Sequence, residues 1–234
     1  MTKKRDFSNK RNKKRTTRNA TEHVKNSNGR TISSTRWLTR QLNDQYVHEA
    51  QRLGYRGRAA FKIKDIDDRF KIFKPNSTVV DLGAAPGGWC QVALERNVKK
   101  VIALDLLPVD GLPGLVTIEM DFMTDDAPDI LLKELGGQKA NVVMSDMAHN
   151  TIGHKATDHI RIIALVEAAY YFAREILEEN GTFIAKVFQG GAVHELIKQA
   201  KKEFKTVRHF KPPSSRKESS ETYFIATGFK GKSD

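Results

Sequence analysis

Lys186 stands inside Phe183-Ile184-Ala185-Lys186-Val187-Phe188, with apolar residues on both sides. Lysine is rarely buried unless it is paired. Two readings compete: an ammonium that snorkels to solvent at a strand's end, or an amine held beside Asp146 for proton transfer. Asp146 ends another apolar run, Ala140–Ser145. Lys62 interrupts the apolar spacing between Phe61 and Ile63, and Glu221 opens an extended stretch after Ser219-Ser220. Taken by themselves, Lys62 and Glu221 read as surface residues.

A second constellation begins at Asp81-Leu82-Gly83-Ala84-Ala85-Pro86-Gly87-Gly88-Trp89. Small residues at a strand-to-helix turn let a ligand approach the backbone closely. Ala85 breaks the Gly-x-Gly-x-x-Gly dinucleotide fingerprint at its second glycine, and Pro86 removes a backbone donor. The turn therefore suits a nucleoside-like ligand that asks less of phosphate-binding amides. Asp105, Asp121 and Asp146 each fall at the carboxyl end of an expected strand, the rim where open α/β sheets bind ligands. A carboxylate at Asp105 could accept both hydroxyls of a ribose. Singly, each acid also reads as a turn or cap residue. Three at successive strand ends, with the glycine turn, read as a ligand site.

The elements that must position these residues follow from periodicity. Helical spacing runs through Trp37, Leu38, Leu42, Tyr46, Val47 and Ala50, and again from Ala59 to Phe70. Strands are expected at Ser77–Leu82, Lys100–Leu104, Gly114–Ile118, Ala140–Ser145, Thr182–Phe188, Thr206–Lys211 and Thr222–Gly228. Helices are expected at Gly88–Arg96, Ala127–Leu135, Asp158–Leu177 and His194–Phe204. This alternation predicts an α/β fold with a mainly parallel sheet covered by helices on both faces. The last two strands, joined by Pro212–Ser220 without a helix, predict a hairpin at the sheet edge.

Charge separates the chain into parts. Its 234 residues carry a net +12, yet residues 1–36 hold 12 Lys/Arg against 2 Asp/Glu. Residues 1–35 are expected to form a basic, disordered arm, and 36–234 one domain. The arm reads either as a solubilising tail or as a segment that tracks nucleic-acid phosphates. Its Lys/Asn-rich runs fit a transit peptide poorly. No apolar run approaches membrane-spanning length and no signal-peptide core is present, so a soluble, cytoplasmic protein is expected. Cys90 is the one cysteine, which excludes an intrachain disulfide and a cysteine cluster; no metal is expected. A monomer is expected, for want of an obvious interface.

From Ser33 to Gly228 the chain resembles the FtsJ/RrmJ-type RNA ribose 2′-O-methyltransferases. The matching stretches include Arg36-Trp37-Leu38, Asp44-Gln45-Tyr46-Val47, Arg56 through Lys62, Asp81 through Trp89, Asp105 through Pro108, Met144 through Ala148, Lys186 through Gly190, Lys211-Pro212, Ser214-Ser215-Arg216 and Ser220 through Tyr223. The resemblance implies a Rossmann-like class I fold with a seven-stranded sheet and a C-terminal antiparallel strand. It implies S-adenosyl-L-methionine as cofactor and S-adenosylhomocysteine as product. It also implies a Lys-Asp-Lys-Glu tetrad, here Lys62, Asp146, Lys186 and Glu221. Cofactor contacts carry over to Gly83, Gly87, Trp89, Asp105, Asp121 and Asp146: Gly87 and Trp89 on the methionine side, Asp105 at the ribose, Asp121 at the adenine edge. Lys186 is then expected to take the 2′-proton, with Asp146 and Lys62 orienting it and Glu221 positioning the group. The Arg-Trp-Leu segment looks most like the bacterial large-subunit branch, whose implied target is a uridine in the A-loop of 23S rRNA. RNA is expected on the arm, Arg36, Arg56, Arg58, Lys211, Arg216 and Lys217. Two positions depart from the family: His149 replaces a proline, and Cys90 stands where serine is common. Competing readings are a tRNA or mRNA-cap 2′-O-methyltransferase, a non-catalytic ribosome-assembly factor, and, from the glycine turn alone, a nicotinamide dehydrogenase.

Overall fold

The computed structural model describes residues 32–148, 155–188 and 194–232. Contacts divide the chain into two units, 1–45 and 46–234. Described in the first unit is helix α1 (Ile32–Leu42), so Ile32–Thr35 are helical where the sequence suggested arm. Residues 1–31 of that arm lie outside the described residues, as does His149. The helix expected from Trp37 to Ala50 is two helices, α1 and α2 (Gln45–Leu53). The Asn43 side-chain amide donates to the Thr39 carbonyl at 2.7 Å, closing α1 on its own last turn.

The second unit continues with α3 (Ala59–Phe70), β1 (Thr78–Leu82), α4 (Gly88–Glu95), β2 (Lys100–Asp105), β3 (Leu115–Glu119), α5 (Ala127–Leu135) and β4 (Ala140–Ser145). It closes with α6 (Lys155–Ile176), β5 (Leu177–Phe188), α7 (His194–Glu203), β6 (Phe204–Phe210) and β7 (Glu221–Phe229). The seven strands form one sheet in the order β3-β2-β1-β4-β5-β7-β6. All neighbours are parallel except β7, which runs antiparallel between β5 and β6. The edge hairpin is therefore present, with β6 outermost. Strand β5 starts directly after α6, and its pairing to β4 jumps from Ala140↔Leu177 to Val142↔Thr182. Glu179-Asn180-Gly181, expected to end the preceding helix, is thus part of an irregularity inside the strand, with Asn180 at φ 64°. No helix among the described residues is long and apolar enough to cross a membrane.

Strand residues two apart share a face. Val80, Leu82, Ile102, Leu104, Val143, Phe183 and Ala185 pack with α5, α6 and α7. Val79, Val101, Ala103, Val142, Met144, Ile184 and Ile225 pack with α3 and α4. Extending this second face by one alternation toward the carboxyl ends of β1, β2, β4 and β5 gives Asp81, Asp105, Asp146 and Lys186. Tyr223 and Glu221 continue it at the start of antiparallel β7, where Lys186 pairs with Tyr223 and Phe188 with Glu221. The apolar register that anchors each strand therefore brings the polar groups together, facing the helix that carries Lys62.

Candidate active site

Lys186 is 7% exposed and is not snorkelling. Its Nζ lies 3.0 Å from Asp146 Oδ1 and donates to the Asp146 carbonyl at 2.5 Å. Lys62 Nζ, from α3, lies 2.6 Å from Glu221 Oε1. Tyr223 joins the two pairs: its hydroxyl is 3.1 Å from Asp146 Oδ1 and 3.3 Å from Glu221 Oε1. The four expected residues thus form one network through a fifth that the sequence reading left out. A phenol has one proton, so Tyr223 serves one carboxylate at a time. Burial and then the two carboxylates push its pKa well above the ordinary value, so it remains a donor. The signal available in the sequence was period two from Glu221 along a strand.

Beside this network a cleft is lined by Gly83, Ala85, Leu104, Asp105, Leu106, Met120, Asp121, Asp146, Met147, Ala148 and Leu165. Asp105 Oδ2 accepts from the Ala85 amide and Oδ1 from the Leu107 amide, both at 2.9 Å, which fixes the carboxylate at the cleft wall. Asp121 is held by the Met123 amide at 2.9 Å. Gly83 has φ 79°, and a Cβ there would lie 2.7 Å from the Met147 backbone, so only glycine lets the turn and the Asp146 segment meet. Gly87 and Trp89, expected on the methionine side, follow the turn at the start of α4. Trp89 is buried, donating its indole N–H to the Ala59 carbonyl at 2.9 Å and packing 5.5 Å from the Tyr223 ring. A Cβ on Gly87 would collide with the Arg56 guanidinium at 2.4 Å.

Asp81 was read only as the start of the turn, yet it is fully buried. Its Oδ2 accepts from the Cys90 thiol at 3.1 Å, whereas Oδ1 has no partner among the described residues. Burial pushes its carboxyl up to about 7, and Asp146 and Asp105 add to the rise. Asp105, Asp121 and Asp146 on the cleft wall fit a nucleoside carrying positive charge. Asp81 also gives a stability prediction. An acid raised by folding costs nothing below its unfolded pKa near ~3.9, then costs about 1.4 kcal/mol per pH unit until the folded carboxyl ionises. From pH 5 to 7.5, Asp81→Asn should therefore gain in urea midpoint relative to the unsubstituted protein. An unchanged difference between the two pH values would contradict the assignment.

The RNA residues expected from sequence divide. Lys217 is exposed on the loop between β6 and β7. Lys211 Nζ donates to the Lys217 and Ser219 carbonyls at 3.1 and 2.6 Å, closing that loop. Arg58 donates to the Ser214 carbonyl at 2.5 Å and lies over the Tyr46 ring. Arg56 approaches the carbonyls of Pro86 and Gly111 at 3.4 and 3.5 Å, bracing the glycine turn. Arg216 is half-buried on the loop, and Arg36 falls in α1 with its side chain outside the described residues.

The strand order, the antiparallel β7 and a carboxylate-lined cleft at the strand ends define a class I, Rossmann-like methyltransferase dependent on S-adenosylmethionine. A profile of FtsJ-like methyltransferases matches residues 55–229, and the chain belongs to that family. It is 58% identical to the ribosomal RNA large subunit methyltransferase E of Paramagnetospirillum magneticum, over 93% of this chain and 91% of that one. The protein of the same name from Gluconobacter oxydans is 55% identical, covering 92% of this chain and 80% of its own length. The crystal structure of a ribosomal RNA methyltransferase from Plasmodium falciparum superposes with a TM-score of 0.68 at 31% identity, covering 76% of this chain and all of that one. The dehydrogenase reading is thereby overturned, in keeping with the broken glycine fingerprint.

Proposed function

We propose that this chain methylates the 2′-oxygen of a uridine in the A-loop of 23S rRNA within the large ribosomal subunit, acting as a single chain with Lys186 as the base. The observation that carries this reading is the buried Lys186–Asp146 pair at the cleft's inner end, with Lys62–Glu221 alongside. S-adenosylmethionine supplies an electrophilic methyl group on a sulfonium; the bond formed is oxygen to methyl carbon, and the bond broken is sulfur to methyl carbon. Lys186 takes the 2′-hydroxyl proton. Asp146 fixes the lysine through two contacts, one from its side chain and one from its backbone. Glu221, paired to Lys62, holds the ribose so that its oxygen reaches the roughly 3–3.5 Å needed for in-line attack. Asp105 and Asp146, on the cleft wall, favour a cationic cofactor by charge.

The large-subunit target is supported by the names of the relatives, and RNA as the partner by the basic ends of the chain. Labelled S-adenosylmethionine offered with purified large subunits, free rRNA and bulk tRNA tests it. Label on the large-subunit rRNA is expected; label on tRNA alone would overturn the target while keeping the chemistry. RNA binding should weaken steeply with salt, by roughly 10³ or more between 50 and 200 mM if six phosphates are contacted. Affinity unchanged across that titration would contradict a phosphate-tracking surface.

A further inference from the structure

The loop between β6 and β7 is tied to helix α3 through a single peptide. The Ser214 amide donates to Asp65 Oδ2 at 2.9 Å, and the Ser214 carbonyl accepts from Arg58 at 2.5 Å. Ser214 is 1% exposed, buried at the point where both bonds meet it. Asp65 lies one position short of a turn beyond Lys62, and Arg58 one turn before it, so both anchors leave the helix that carries a tetrad residue. The loop itself is stiff: Lys211 bridges two of its carbonyls, and turns close from Ser215 N to Pro212 O and from Ser219 N to Arg216 O. It ends at Glu221, whose Oε1 is 3.5 Å from Ser215 Oγ and whose amide donates to Ser219 Oγ at 3.2 Å.

We propose that Asp65 and Arg58 are positioning residues, which dock the closing loop through the Ser214 peptide and so set Glu221 at its 2.6 Å contact with Lys62. Glu221 and Lys62 come from elements about 160 residues apart in sequence; α3 and β7 share one apolar layer through Ile63, Tyr223 and Ile225, and the loop adds a polar tie beside the site. A rigid loop held at both polar groups of one peptide fixes that distance. Without the anchors the loop moves as a body, and a displacement of about 1 Å at the site suffices to cost about 10²-fold in rate. This gives Arg58 a task different from the phosphate contact expected of it, and it rests on the reading that Glu221 belongs to the reacting centre.

The test compares Asp65→Ala, Asp65→Asn, Arg58→Gln and Glu221→Gln with the unsubstituted protein, measuring kcat on large subunits, cofactor Kd, and the salt dependence of RNA binding. Asp65→Ala should lower kcat by about 10- to 100-fold, with cofactor Kd unchanged. Asp65→Asn keeps an acceptor oxygen for the Ser214 amide and should recover most of the rate; equal losses in both variants would overturn the proposal. Arg58→Gln should lower kcat and leave the salt slope unchanged. A kcat at the unsubstituted value with the slope reduced by about 0.7–0.9 would make Arg58 a phosphate contact and overturn its part. Asp65→Ala at full rate while Glu221→Gln is inactive would sink the docking proposal alone. Glu221→Gln at full rate would instead remove the reading on which it rests.

Discussion

Lys186→Ala should lower kcat for methyl transfer by about 10²–10⁴-fold, the usual contribution of a positioned general base. The lysine is buried and held against Asp146. Cofactor binding should survive, because the cleft's Asp105 and Asp121 are fixed by backbone amides rather than by Lys186. Lys186→Arg separates two roles. A guanidinium keeps the charge and can still pair with Asp146, but it does not deprotonate in proteins. It should therefore be nearly as inactive as the alanine variant. An arginine variant with normal turnover would mean that the site needs a cation and not a base.

The second large effect concerns stability, at the end of the sheet away from the cleft. Glu203 is completely buried and accepts from Tyr170 Oη at 2.6 Å and Gln199 Nε2 at 2.8 Å, with Arg174 Nη2 2.6 Å away. It ties α6 to α7 just where β6 begins. Removing one partner of a buried pair costs about 3–5 kcal/mol, because the other charge stays behind without compensation. Glu203→Ala should lose about that much in urea unfolding, a large share of the ~5–15 kcal/mol typical of a domain. Adding Arg174→Met should recover part of the loss by removing the stranded charge. A loss under about 1 kcal/mol for Glu203→Ala would show that the pair is solvated in solution.

The sheet was legible because its strands are short β-branched runs with helices between them, and Ala59–Phe70, Ala127–Leu135 and Ala140–Ser145 have the bounds that periodicity gives. The break at Asn43 and the irregularity at Glu178–Gly181 were not legible. One depends on a side chain folding back on its own helix, and the other on the pairing to β4. In the site, Asp146 and Lys186 stood out as polar residues in apolar surroundings. Their contact is long-range, and so is that of Lys62 with Glu221; the family resemblance supplied both. Tyr223 was missed because a tyrosine in an apolar strand looks like core, and its packing against Trp89 is core packing. Only its hydroxyl belongs to the site. Trp89, assigned to the cofactor by the resemblance, has its indole buried against Ala59 and Tyr223. Arg58 and Lys211 looked like phosphate contacts by charge, and their bonds to loop carbonyls depend on a fold that composition does not reveal.

The central claim is the atom that receives the methyl group, and alkaline cleavage of rRNA from methylated large subunits reads it directly. A 2′-O-methyl removes the hydroxyl that attacks the neighbouring phosphate. One A-loop uridine should therefore resist cleavage after incubation with the enzyme and S-adenosylmethionine, and should be cleaved after incubation with Lys186→Ala. Labelled rRNA that is cleaved at every position would place the methyl on a base and contradict ribose chemistry at this site.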